Sequence, residues 1–203
     1  MIAIIDYGVG NLFSITSSLK ACNVDCQVTC DESLIKQAKG LILPGVGAFG
    51  DAKDKLVQTG LFDLIQEEAE KGKPLLGICL GMQLLFEKSF EYGVHEGLSL
   101  LPGSVQPLRA DLKRAETLVP HMGWNQLELR KENPLIQGEP YVYFVHSYYA
   151  KDCDEVILAD AEYEGVRVPA LVGRDHIFGM QFHPEKSGAA GLAMLKAFAA
   201  LCQ

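Results

Sequence analysis

The stretch PLLGICLGMQ, residues 74–83, decides how the rest of the chain is read. Its first half, PLLGI, is a short, wholly apolar run introduced by proline, the pattern of a strand buried on both faces. Its second half opens a helix-like segment, Leu80 to Lys88, and Cys79 stands at the junction with Gly77 and Gly81 two residues to either side. A sharp strand-to-helix turn that presents a nucleophile in a strained conformation needs small neighbours at those places. The free N–H groups and dipole at the start of a helix would favour a thiolate there. A cysteine in an apolar run is also a common core residue, so the motif alone leaves Cys79 open between nucleophile and buried sulfur.

The same alternation of strand and helix runs through the first half of the chain. IAIID, DCQVTC and GLILP read as strands, Asn11 to Ala21 as a helix, and Asp51 to Lys71 as a broken helix. Short apolar strands in βαβα order imply a parallel sheet covered on both faces. In the second half VQPLRA, WNQLELR, YVYFVHSYYA, EVILADAEY, VRVPALVGR and HIFGMQF read as strands joined by turn residues, which are antiparallel additions. A helix from Ala189 to Leu201 closes the chain. The expected fold is α/β, a three-layer open and mainly parallel sheet with antiparallel additions, in one domain over residues 1–203. In such sheets ligand sites gather beyond the carboxyl ends of the strands, so the loops after IAIID, GLILP, PLLGI and HIFGMQF are the ones to search.

Composition narrows the function class. Apolar residues make up 48% and charged residues 22% of the chain, ordinary for a globular protein, and the formal net charge of -8 argues against nucleic acid. No basic segment followed by an apolar stretch opens the chain, and the longest nearly apolar run, LLGICLGMQLLF, is too short for a bilayer. The expectation is a cytoplasmic protein, away from membranes, with its cysteines reduced. Cys22, Cys26 and Cys30 recur every four residues, but no histidine or CxxC pair accompanies them. Val24, Cys26, Val28 and Cys30 alternate as interior positions of a half-buried strand, so no metal is expected. Cys153 and Cys202 lie in polar or terminal surroundings. YGVGNLF half-matches a dinucleotide fingerprint, but Phe13 stands where the third glycine belongs, and no cofactor is expected.

A thiol that attacks an acyl group needs a base, and the base an orienting group. His146 and His183 each follow an apolar strand and are rivals for the base. His183 opens HPE, and in extended chain Glu185 would lie on the same side about 6.6 Å away, with Pro184 keeping the segment out of a helix. LPGVGAFGD follows another strand, and its close glycines could bring backbone N–H groups to a ligand; a flexible loop or a helix start is the plainer alternative.

PGVGAFG, GICLGMQLLFE and FHPEKSG, in this order and spacing, resemble the class I (triad) glutamine amidotransferases over essentially the whole chain. More narrowly, DYGVGNL, PHMGWN and YFVHSYY are similar to the glutaminase subunits of imidazole glycerol phosphate synthases. The resemblance implies a flavodoxin-like fold and a triad of Cys79, His183 and Glu185. It further implies an oxyanion site from the peptides at Val46 and Gly47 with the amide of Leu80, and a glutamine site holding Gln83, Glu91, Ser147 and Tyr148. Ammonia released into neutral water becomes ammonium, which cannot attack, so the resemblance implies a partner that receives ammonia through protein. That partner is a cyclase subunit with a (β/α)8 barrel, forming a heterodimer, with Asn11, Trp124, Asn125 and Lys186 at interface positions. Activity without the partner is expected to be low. A glutaminase serving another synthase, such as a sugar amidotransferase, or a catalytically silent regulatory subunit on the same fold, are the alternatives.

Overall fold

Alternate residues of the first strand face opposite layers. In the computed structural model, which describes residues 1–202, β1 (Ile2–Ile5) sends Ala3 and Ile5 into one apolar cluster and Ile2 and Ile4 into another. There follow α1 (Leu12–Ala21), β2 (Cys26–Thr29), α2 (Glu32–Gln37), β3 (Gly40–Leu43), α3 (Phe49–Gln58), α4 (Leu61–Glu70), β4 (Leu75–Ile78) and α5 (Leu80–Gln83). The second half contributes β5 (Phe86–Ser89), β6 (His95–Glu96), β7 (Leu101–Pro107), β8 (His121–Gln126), β9 (Glu128–Leu129), β10 (Tyr141–His146) and β11 (Tyr148–Lys151). It ends with β12 (Ile157–Tyr163), β13 (Val166–Arg174), β14 (Ile177–Met180) and α6 (Gly188–Leu201).

The main sheet has the order β2-β1-β3-β4-β14-β13-β12-β9. Strands β2 to β14 in that order pair in parallel, and β13, β12 and β9 add on antiparallel. One face is covered by Ile35, Phe49, Leu56, Leu61 and Ile65 of α2, α3 and α4. The other is covered by Ile15, Leu19, Leu195 and Phe198 of α1 and α6. The chain thus forms the expected three-layer α/β fold, with a four-stranded sheet (β11-β7-β5-β6) and a ribbon (β10-β8) beside it. None of the helices among the described residues is long and apolar enough to cross a membrane.

Several local expectations are corrected. The helix expected over Leu80 to Lys88 is a single turn, because Phe86 to Ser89 pair with β7 and β6 instead. A helix not anticipated at Glu32–Gln37 is capped by the Asp31 carboxylate, which accepts from the Leu34 amide at 3.0 Å. The broken helix divides at Gly60, whose left-handed backbone (φ 71°) starts α4. Cys26 is half-buried as expected, but Cys30 lies one residue past β2 and is exposed. Cys153 and Cys202 are buried in the two cores, where burial pushes their thiols up to about 12 and about 11.

Candidate active site

Two adjacent parallel strands end together and release two chemical groups side by side. Ile78, the last residue of β4, is in register with Met180, the last of β14. Cys79 and His183 follow these ends, and the Cys79 amide donates to the Met180 carbonyl at 2.7 Å.

Cys79 has φ 55° and ψ -111°, a conformation that costs an L-residue energy and persists only where surrounding structure holds it. The holding is backbone against backbone. A Cβ on Gly77 would lie 2.5 Å from the Gly81 carbonyl oxygen, and one on Gly81 only 1.8 Å from that of Leu43. With α5 reduced to four residues, the macrodipole contribution is small, and what remains near the sulfur is the set of unpaired N–H groups of a first turn, Leu80 included.

His183 and Glu185 meet, although not through extended chain. Pro184 begins a 3-10 turn over Pro184–Lys186, and within it Nδ1 of His183 lies 2.8 Å from Oε1 of Glu185. Pro184 is tolerated because a helix's first residue needs no N–H partner. The His183 backbone is pinned: its amide donates to the Tyr143 carbonyl at 2.9 Å, and its carbonyl accepts from the Ser187 hydroxyl at 2.7 Å. Burial alone would lower the His183 imidazole, but hydrogen bonds to the Cys79 sulfur and Glu185, with their charges, outweigh it and raise it to about 9. Since Nδ1 is taken by Glu185, Nε2 is left for Cys79.

His146, the other candidate base, has both ring nitrogens engaged by neighbours. Its Nδ1 is 2.9 Å from the Tyr148 carbonyl and its Nε2 is 3.0 Å from Nδ1 of His121. Burial, with the neighbouring His121 and His183, lowers it to about 3. With both nitrogens engaged and its basicity lowered by burial, His146 is less well placed than His183 to take a proton from Cys79.

A cavity of about 310 Å³ opens over Cys79 and His183 and brings together Val46, Gly47, Leu80, Gln83, Glu91, Ser147 and Tyr148. Glu185 lies behind His183, its side chain 1% exposed. Glu91 accepts the Phe49 amide at 2.7 Å, and burial raises its carboxyl. The Val46–Gly47 loop is held at its base by the Tyr7 hydroxyl, which donates to the Pro44 carbonyl at 2.8 Å, and Gly47 adopts φ 90°. A larger cleft of about 460 Å³ elsewhere holds Arg130, Lys151 and Arg167, but these cations are already paired with Asp160 and Asp111.

One site residue escaped sequence reading. Gln181 is fully buried; its Oε1 accepts from Gln83 Nε2 at 3.0 Å and its Nε2 lies 3.9 Å from Cys79 Sγ. A lone amide inside the apolar run HIFGMQF was the available signal, since a buried polar group must find partners.

Of the four residues expected at an interface, Trp124 is 57% exposed and packs edge-on to Tyr143, over which the Lys186 ammonium sits 5.8 Å from the ring centre. Asn125 points to the opposite face of β8, as strand alternation requires, and donates to the Glu162 carbonyl at 2.7 Å. Asn11 precedes α1 at the carboxyl end of the sheet, and its side chain makes no capping bond.

Residues 3–201 match the family model for glutamine amidotransferase class-I. Among similar proteins, the imidazole glycerol phosphate synthase subunit HisH of Oceanobacillus iheyensis is 50% identical over 202 residues, covering 98% of each chain. The subunit of the same name from Bacillus subtilis is 50% identical across 98% of this chain and 95% of its own. That from Geobacillus kaustophilus is 52% identical across 96% and 94%. A crystal structure of a glutamine amidotransferase superposes with a TM-score of 0.77 at 20% identity, covering 100% and 99%. PurLQS from Thermotoga maritima gives 0.75 at 17%, covering 100% and 98%.

Proposed function

The chain belongs to the class-I glutamine amidotransferases, and within them to the HisH subunits of imidazole glycerol phosphate synthase; on that premise we propose that it hydrolyses glutamine at Cys79 and passes the ammonia to a cyclase subunit. The observation that carries the chemistry is the juxtaposition of Cys79, His183 and Glu185 at the adjoining ends of β4 and β14.

In the proposed cycle His183 holds the Cys79 proton, and the thiolate adds to the side-chain carboxamide carbon of glutamine. The oxyanion is met by the Leu80 amide and a peptide of the Val46–Gly47 loop, all of which line the cavity. Collapse breaks the C–N bond, and the imidazolium gives its proton to the leaving nitrogen, producing ammonia and a γ-glutamyl thioester. His183 then takes a proton from water, hydroxide adds to the thioester, and collapse breaks the C–S bond, so that glutamate leaves and the Cys79 thiolate is restored beside the protonated His183. Glu185 keeps the ring oriented and balances its charge throughout. Gln83, Glu91, Ser147 and Tyr148 hold the glutamine.

The relatives are named as subunits, which supports a separate acceptor. We place a (β/α)8-barrel cyclase there, in a cytoplasmic heterodimer, converting a phosphoribulosyl aminoimidazole precursor into imidazole glycerol phosphate and an aminoimidazole carboxamide ribotide. One glutaminase domain fills this chain. Trp124, Lys186 and Asn11 then face the partner, with Asn125 bracing β8 from behind. The test is alkylation by a glutamine-analogue electrophile with cyclase and its ligand present: stoichiometric labelling of Cys79 is expected, and no labelling there would sink the glutaminase reading.

A further inference from the structure

His146 lines the cavity and His121 backs it, and the two buried histidines make a contact that the cycle above does not use. His121 and His146 face one another across β8 and β10, 2% and 5% exposed. A carbonyl oxygen only accepts, so the 2.9 Å contact between His146 Nδ1 and the Tyr148 oxygen puts the His146 proton on Nδ1. Burial keeps both rings neutral, and His146 Nε2 is then a bare acceptor. His121 must donate to it from its own Nδ1, 3.0 Å away. The His121 ring is itself clamped, stacked between Phe144 at 4.6 Å and Tyr163 at 4.1 Å. Each tautomer is thereby dictated by the next group along, and the direction of the whole relay is set.

The relay ends on a group that matters to the cavity. The Tyr148 carbonyl receives a second hydrogen bond, of 2.9 Å, from Gln83 Nε2, whose other contact is Gln181 beside the Cys79 sulfur. Ser147 and Tyr148 form the wall of the cavity next to Gln83. We propose that His121 and His146 are positioning residues for glutamine: their directed relay fixes the Tyr148 carbonyl and, with it, the wall made by Ser147 and Tyr148.

This inference rests on the glutaminase reading, and the test separates the two. Glutamate release is measured for this chain in complex with the cyclase subunit, with folding checked by thermal melting. His146→Leu removes the donor to Tyr148, and the KM for glutamine should rise about tenfold or more while kcat falls less. His146→Asn restores a donor at the Nδ1 position, and KM should return to within about threefold of the parent. His121→Phe leaves the buried His146 Nε2 without its donor, so the ring is held at one nitrogen only, and KM should rise about three- to tenfold. An unchanged KM in His146→Leu or His121→Phe overturns the proposal. So does His146→Asn impaired as deeply in KM as His146→Leu. If His146→Leu does not fold, the other two variants decide. Absence of glutamate release by the parent complex refutes the glutaminase reading instead.

Discussion

Glu185 gives one carboxylate oxygen to His183 at 2.8 Å while its other oxygen is buried without a partner among the described residues. A carboxylate so placed has its charge undiluted by competing donors, and the imidazolium is its main counterweight. Glu185→Gln keeps an acceptor for the His183 proton but removes the charge, so kcat for glutamate release should fall about 10²- to 10⁴-fold with KM little changed. A variant as fast as the parent would take Glu185 out of the chemistry.

Replacing the nucleophile separates the two halves of the reaction. Cys79→Ser and Cys79→Ala should lower glutamine-dependent synthesis by the complex on the order of 10³-fold or more. Synthesis from added ammonium salts enters at the cyclase and should persist. Loss of both activities would mean that Cys79 supports the fold instead.

Stability should have two pH limbs. His183 titrates near 9 when folded and near 6.5 when unfolded, so its stabilisation is complete below pH 6.5 and is lost as pH rises toward 9. His121 and His146, lowered to about 4 and about 3, act oppositely: their contribution is complete above pH 6.5 and is lost as pH falls. Denaturant midpoints between pH 4 and 9.5 should show a steeper alkaline decline in the parent than in Glu185→Gln. Equal alkaline slopes would contradict the His183–Glu185 coupling.

The exposed indole of Trp124, packed edge-on to Tyr143 beside Lys186, has the make-up of an interface anchor. Trp124→Ala should weaken cyclase binding about 10- to 100-fold in a titration, while the isolated chain melts as before. Undiminished binding would move the docking surface elsewhere.

The parallel half of the fold was legible because IAII, GLIL and LLGI are apolar throughout, the pattern of a doubly covered strand. The segment after Gln83 was misread for a matching reason: LLFEKS favours a helix locally, and pairing with β7, remote in sequence, overrides that preference. The Asp31 cap was visible in DESL, but six residues carry too little periodicity to announce a helix. Residue patterns alone leave His146 and His183 level, and only the family resemblance points to His183; what separates them physically is the occupancy of their nitrogens by His121, Tyr148 and Glu185. Gln181 was hidden by its apolar neighbours.

The glycines beneath Cys79 also bear on how this enzyme can change over time. Gly77 and Gly81 have carbonyl oxygens within 2.5 Å and 1.8 Å of where a methyl group would go, and a methyl on Gly45 would lie 2.7 Å from the Gly81 nitrogen. Gly81→Ala should cost several kcal/mol, enough to unfold a marginal domain, and chemical denaturation measures it directly. Saturation mutagenesis should therefore map a blank ring around the nucleophile, inherited intact or lost outright.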